Sequence, residues 1–122
     1  MSMTFEDLES WQVARKNVCS IYDLTRQSDI SRDFGLCSQL QRAGVSVMSN
    51  IAEGFERTHL PEKLQLYNIA RGSPAEIRSL LYVIEDNFMS LAVAASDLRD
   101  EIRSVGRLIS GLIRSTEDRK LQ

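Results

Sequence analysis

Apolar residues recur every three or four positions through most of the chain, the spacing that places side chains on one face of an α-helix. Trp11, Ala14, Val18 and Ile21 form the first such stripe, and Thr4 is the expected N-cap before it. Three further stripes follow, separated by short polar stretches. The pattern predicts four helices, over about residues 6–25, 33–56, 61–90 and 97–116, with a frayed tail over 117–122.

The third predicted helix carries both prolines of the chain. Pro61 suits the first turn of a helix, where its missing N–H group costs little. Pro74 follows Gly72 and Ser73 in the helix interior, where a proline removes a backbone hydrogen bond. We therefore expect a kink near Gly72–Pro74, or a division of the helix in two.

Four helices with short connections are typical of an all-α protein, an antiparallel up-down-up-down four-helix bundle. A chain of 122 residues is long enough to bury one hydrophobic core without disulfides. We expect a single domain over residues 1–122. Ala43, Gly44 and Gly54 in the second helix predict the close approach of a neighbouring helix.

The two central helices carry more apolar residues than one core-facing stripe needs. The extra residues are Cys37, Val45, Met48, Ala52 and Phe55 on the second helix, and Ile69, Leu80 and Val83 on the third. If this second apolar face stays exposed, it is an oligomer interface. The alternative is that the bundle itself covers its central helices on two sides.

Composition and charge favour a soluble intracellular protein. The net charge is −2, so the chain lacks the overall basic excess that is usual in proteins bound to nucleic acid. The longest apolar run, residues 91–95, is too short to cross a membrane, and residues 1–10 contain no apolar signal stretch. We expect a cytoplasmic location, with Cys19 and Cys37 as reduced, buried thiols.

A stripe of arginines is nonetheless present on the fourth predicted helix. Arg99, Arg103, Arg107 and Arg114 lie within about 80° of one another on a helical wheel, opposite the apolar stripe. Such a stripe could contact the phosphates of RNA or DNA. The alternative is a solvated face whose arginines pair with neighbouring acids.

Polar residues follow one edge of the second predicted helix, where Asn50 and Glu53 lie beside the apolar stripe. Arg71 and Glu76 on the third helix are placed to meet this edge. Hydrogen bonds among Asn50, Glu53 and Arg71 would form a buried polar network that sets the register between the two helices. The alternative is a ligand or partner site at the same edge.

The sequence predicts no catalytic residue, metal site or cofactor. His59 is the one histidine, and Glu56-x-x-His59 supplies only one of the two Glu-x-x-His pairs of a di-iron bundle. No nucleophile has a base in evident reach, and no phosphate-binding loop motif occurs.

Four strings along the chain are more specific than this general pattern. They are Phe5-x-x-Leu8-x-x-Trp11-x-x-Ala14, Gly35-Leu36-x-x-Gln39-Leu40-x-Arg42-Ala43, Ser46-x-x-Ser49-Asn50-Ile51-Ala52-Glu53-Gly54 and Ile69-Ala70-Arg71-Gly72-Ser73-x-x-Glu76. Together they resemble the four-helix bundle family of 23S rRNA intervening-sequence proteins, over about residues 4–115.

The resemblance implies a bundle that assembles with its own copies into a ring, typically a pentamer, with a possible RNA, DNA or protein partner. Founding members are encoded within insertions in bacterial 23S rRNA genes. The similar accessory variability proteins of diversity-generating retroelements are basic, and bind a reverse transcriptase and nucleic acid. The resemblance implies a signature set but no catalytic role for it. That set is Asn50, Glu53, Arg71, Ser73 and Glu76.

Two features depart from the family pattern. Pro74 directly follows the Gly-Ser pair, where a residue that favours helices is commoner. The acidic balance of the chain also differs from the basic surface of the retroelement proteins.

Overall fold

Helices make up almost the whole of the computed structural model, which describes residues 2–120 (the backbone alone for Lys120). The four long helices are α1 (Glu9–Thr25), α2 (Phe34–Glu56), α3 (Leu60–Asn87) and α4 (Ala92–Lys120). Single 3-10 turns at Phe5–Asp7 and Met89–Leu91 precede α1 and α4. No β-strand occurs among residues 2–120, so the all-α fold class is confirmed.

The helix ends follow local chemistry, and the clear differences from the prediction are at the two ends of α4. The Asp33 carboxylate caps α2 by accepting a hydrogen bond from the Leu36 backbone N–H at 3.2 Å. Between α3 and α4, the predicted connection is too long, because α4 already begins at Ala92. The alanine-rich start of α4 favours helix but hides the periodic pattern.

The end of α4 also lies further along the chain than predicted. Helix continues through residues 117–120, which we expected to fray. The remaining part of that predicted tail, residues 121–122, lies outside the described residues.

Pro74 does not divide the third helix. Residues Leu60–Asn87 form one continuous α3, with Pro74 buried in its interior. The division of the helix is therefore wrong, and a kink at Gly72–Pro74 stays a prediction.

Helices α2 and α3 pack in opposite directions. Ser73 in the middle of α3 faces Ser46 in the middle of α2, whereas Lys63 at the start of α3 reaches Phe55 at the end of α2. In addition, α1 packs against α2 and α4, and α3 packs against α4. One core therefore runs along the axis of the bundle, with fully buried residues from all four helices. None of the described helices is both long and apolar enough to cross a bilayer.

Two glycines in α2 allow the close approach that was predicted. A Cβ atom at Gly44 would lie 2.8 Å from Cδ1 of Ile21 on α1. A Cβ atom at Gly54 would lie 2.6 Å from the ring of Tyr67 on α3. Both distances are too short for real contacts, so α2 meets both neighbours through positions where only glycine fits without movement.

The two ends of the bundle are built differently. At one end, the Ser90 hydroxyl donates a hydrogen bond to the Asp29 carboxylate, which ties the α3–α4 connection to the α1–α2 connection. At the other end, the N-terminal arm (residues 2–8), the end of α2, the start of α3 and the end of α4 surround a cavity of about 310 Å³.

The two cysteines lie in different environments. Both are free thiols. Cys37 is buried, with its Sγ atom 3.4 Å from the carbonyl oxygen of Ile30. Cys19 is exposed, so its predicted burial is wrong: it lies on the outer side of α1, away from the residues that enter the core.

Candidate functional site

The seam between α2 and α3 contains a short chain of hydrogen bonds. The Asn50 amide donates to the backbone carbonyl of Ser46 at 2.8 Å and to its hydroxyl oxygen at 3.0 Å. The Ser73 hydroxyl donates across the seam to the Ser46 hydroxyl at 3.4 Å. These partly buried bonds link the two helices at one register. Ser46 is thus the residue that connects the predicted signature residues Asn50 and Ser73.

The other three signature residues do not join this chain of bonds. Glu53, Arg71 and Glu76 are exposed. Arg71 donates instead to the side-chain oxygen of Asn68 on its own helix, at 2.8 Å. The predicted buried network of Asn50, Glu53 and Arg71 is therefore wrong for the single chain, because Arg71 lies on the flank of α3 that faces α4.

The predicted second apolar face divides into two parts. Met48 and Phe55 pack against the core of their own bundle. Their flank of α2 is the one that faces α1 and the N-terminal arm. Val45 and Ala52 point outward, and Val45 is exposed. Cys37 is buried in the core and Leu80 packs against it, so half of the predicted second apolar face is core in the single chain.

The outward half continues onto α3. Val45, Ile69 and Val83 are each between 41% and 47% exposed, high values for large aliphatic side chains in a structured helix. By helical spacing they share one side of the molecule with charged residues around the serine seam. We name this surface the α2–α3 face. It comprises Arg42, Val45, Ala52, Glu53, Ile69, Glu76 and Val83.

Arg99 does not belong to an exposed stripe. Its side chain is only 12% exposed and forms an ion pair with Glu85 of α3. Its guanidinium also lies over the ring of Tyr82, 4.0 Å from the ring centroid. The prediction that all four arginines project away from the bundle is wrong for Arg99, which joins α4 to α3.

The other three arginines of the stripe, Arg103, Arg107 and Arg114, are exposed. Two arginines of α3 extend their surface. Glu85 of α3 pairs with Arg99 of α4. Counting back along α3 from Glu85, about two helical turns lead to Arg78, and about two more lead to Arg71. Arg71 and Arg78 therefore lie on the α4-facing flank of α3.

We name the resulting surface the α3–α4 arginine groove. It comprises Arg71, Arg78, Arg103, Arg107 and Arg114. None of these five side chains forms a salt bridge with a residue that the structure describes. Sequence reasoning missed Arg78, although the spacing of seven between residues 71, 78 and 85 places them on one flank.

The comparison with protein families decides the affiliation of the chain. The family model of the 23S rRNA-intervening sequence protein matches residues 6–111, which include the serine seam and most of the arginine groove. The chain belongs to this family. The resemblance inferred from the four strings is thereby confirmed. A comparison with curated proteins gave no match.

In this member of the 23S rRNA-intervening sequence protein family, the glycine that ends the Ser-Asn-Ile-Ala-Glu-Gly string has a packing role. Gly54 leaves room for the ring of Tyr67, which is 1% exposed. The string therefore combines two tasks, since Asn50 bonds along the seam and Gly54 admits an aromatic ring from α3.

The chemistry-bearing residues of this family member do not converge. His59 precedes α3 and is exposed, while Glu56 ends α2. Among residues 2–119, no group of three or more His, Cys, Asp or Glu side chains is placed to hold a metal ion. The surfaces described above are therefore the candidate sites of this molecule.

Proposed function

We propose that this family member is a non-enzymatic, cytoplasmic, homo-oligomeric scaffold or binding protein, and that its subunits meet through the α2–α3 face. The single observation that carries the proposal is the exposure of Val45, Ile69 and Val83 on one side of the molecule. Covering these aliphatic side chains with another subunit would remove apolar surface from water.

The charges around these aliphatic residues support a specific contact between copies. Arg42 supplies a positive charge, while Glu53 and Glu76 supply negative charges, and all three are exposed. Opposite charges favour one docking register over others. When such a face meets a different surface of the next copy, repetition closes a ring if the rotations between copies add up to a full turn. The proposed number of five subunits rests on the family resemblance.

Light scattering after size-exclusion chromatography tests this proposal. We expect a mass of about five times 13.8 kDa at micromolar concentration. Ile69→Asp, in the middle of the α2–α3 face, should give smaller species with unchanged helical circular dichroism. Val93→Asp is the matched control, because Val93 is 75% exposed but lies on α4.

Two outcomes would contradict the proposal. One is a monomeric wild-type chain at micromolar concentration. The other is an oligomer that Ile69→Asp and Val93→Asp affect equally.

A second candidate function is the binding of RNA or DNA by the α3–α4 arginine groove. The observation that favours it is the set of five arginines without salt bridges to described residues. Neutralising phosphates with arginine releases counterions, so affinity should fall steeply with added salt. The groove would supply a local positive surface on a chain that is acidic overall.

Fluorescence anisotropy with a labelled structured RNA tests the second candidate at two salt concentrations. Arg107→Glu should weaken binding and lower the slope of log affinity against log salt by about 1 per lost phosphate contact. Arg15→Glu on α1 makes the same charge change outside the groove and is the matched control. Binding that is indifferent to salt, or equally weakened by both variants, would exclude the groove as the contact.

A further inference from the structure

The cavity at the open end of the bundle has the properties of a small-molecule site. We name it the basal cavity; its volume is about 310 Å³, and its lining includes Leu8, Phe55, Lys63, Tyr67, Leu112 and Arg119. These residues come from the N-terminal arm, α2, α3 and α4, so four segments of the chain enclose one space. Ligand pockets of proteins begin at about this volume and are lined mainly by apolar side chains with a few polar groups.

The floor of the cavity is closely packed. The ring of Tyr67 on α3 is packed against Gly54 on α2, and α2 and α3 cannot move apart there without losing that contact. Leu8 is buried in the core cluster, and Phe55 and Leu112 pack against it. The apolar wall is therefore preformed, which lowers the cost of binding.

The polar groups of the cavity are unbalanced in charge. Lys63 and Arg119 line it, whereas no aspartate or glutamate does. The Lys63 ammonium donates to the backbone carbonyls of Phe55 at 2.7 Å and Gly54 at 3.3 Å. These bonds hold the ammonium at the C-terminal end of α2 and leave one of its three N–H donors free.

Tyr67 adds a neutral donor. Tyr67 is 1% exposed and lines the cavity. A tyrosine hydroxyl is neutral at about pH 7, and burial raises the pKa of Tyr67 further. Burial also lowers the pKa of Lys63; the Glu56 carboxylate opposes this effect, and the Arg119 guanidinium adds to it. A bound anion would favour the charged ammonium and relieve this effect of burial.

From this arrangement we propose that the basal cavity binds a small amphipathic monocarboxylate. Lys63, Arg119 and the Tyr67 hydroxyl would hold the carboxylate, and Leu8, Phe55 and Leu112 would contact the apolar body. The arginine fork matches the two oxygens of a carboxylate. At roughly 30 Å³ per non-hydrogen atom, the volume admits on the order of ten such atoms. The proposal is independent of the oligomeric state and of nucleic-acid binding.

Titration calorimetry of the full chain with sodium octanoate tests the proposal. We expect saturable binding of one octanoate per chain. Arg119→Met should weaken it at least tenfold; Arg119 is exposed, so this variant should fold. Arg114→Met removes the same charge from the same helix outside the cavity and should leave the affinity unchanged. n-Octylamine, which has the same chain but the opposite charge, should not bind.

A second measurement separates the cavity from a nonspecific surface effect. Lys63→Met should abolish the fall in octanoate affinity that we expect as pH rises through the lowered pKa of Lys63. No binding of octanoate to the wild-type chain, or equal binding of octanoate and n-octylamine, would overturn the proposal. Equal affinities of Arg119→Met and Arg114→Met would overturn it as well.

Discussion

Helix α3 packs against a neighbouring helix on each of two flanks, and the side chains that make the two contacts differ. In its middle, towards α2, it presents small uncharged groups, and the Ser73 and Ser46 hydroxyls meet directly across the seam. Towards α4 it presents long charged and aromatic groups, where Glu85 pairs with Arg99, which in turn lies over Tyr82. The small residues of the seam let α2 and α3 pack closely, and aliphatic side chains lie exposed beside this contact. A groove joined by long side chains leaves arginines uncovered, so the two flanks suit partners of different chemistry.

The largest expected effect compares two glycines, one on each side of α3. Gly54→Ala should lower the free energy of unfolding by about 2 kcal/mol, because the new methyl group would overlap the buried ring of Tyr67. Gly106→Ala faces open space beside the arginine groove. It should raise the free energy of unfolding by about 0.5–1 kcal/mol, since alanine favours helix. Urea denaturation measures both; equal destabilisation would show that the groove is as tightly packed as the seam.

The next effect concerns the link between α3 and α4. Glu85→Ala removes the carboxylate that pairs with the mostly buried Arg99 and should lower the free energy of unfolding by about 1–2 kcal/mol. The double variant Glu85→Ala/Arg99→Met should be less destabilised than the sum of the two single changes. Strict additivity in thermal unfolding would mean that the ion pair does not couple the two helices.

A smaller effect, an increase in the free energy of unfolding, tests whether the hydrogen bonds of the seam stabilise the fold. Asn17 in α1 is 3% exposed, yet neither its amide nitrogen nor its amide oxygen has a hydrogen-bond partner among the described residues. Asn17→Leu should raise the free energy of unfolding by about 1 kcal/mol, because it removes an unpaired polar group from the core. Asn50→Leu, at the hydrogen-bonded seam, should lower it. If both variants are destabilised, the Asn17 amide has partners that the single chain does not provide.

The smallest effect is chemical rather than energetic. Burial, and then the charge of Asp33, raises the pKa of Cys37, so its thiol stays protonated and unreactive in the folded protein. Iodoacetamide at about pH 8 should therefore modify Cys19 and spare Cys37. The folded state holds the Cys37 proton more tightly than the unfolded state, so this residue's contribution to stability should decline as pH rises above the unfolded pKa. Mass spectrometry of the labelled chain checks the selectivity; modification of both thiols would contradict it.

Much of this architecture could be predicted from the sequence, because periodic stripes of apolar residues report directly on helices. The stripes located all four helices and the close approach at Gly44 and Gly54. The stripes did not predict whether a side chain is exposed or buried where this depends on which helix packs beside it. A helical wheel places Arg99 beside Arg103 but does not reveal that Tyr82 and Glu85 stand next to it.

The candidate sites depend still more on neighbours. Met48 and Phe55 were predicted to lie at an interface because the pattern does not show which flank α1 covers. The basal cavity was not predicted at all. Its lining residues come from four separate segments, so no local pattern in the sequence marks it. The seven-residue spacing of Arg71, Arg78 and Glu85 was a usable signal that was missed.

The two ends of the bundle differ in structure, so we expect local unfolding to begin at one of them. The Asp29–Ser90 hydrogen bond joins the two connections at one end of the bundle. At the basal end, a cavity takes the place of some of the core side chains. Local unfolding starts where contacts are sparse. Amide hydrogens of the first turns of α3 should therefore exchange with solvent sooner than those near the Asp29–Ser90 link, so the molecule should open reversibly from its base.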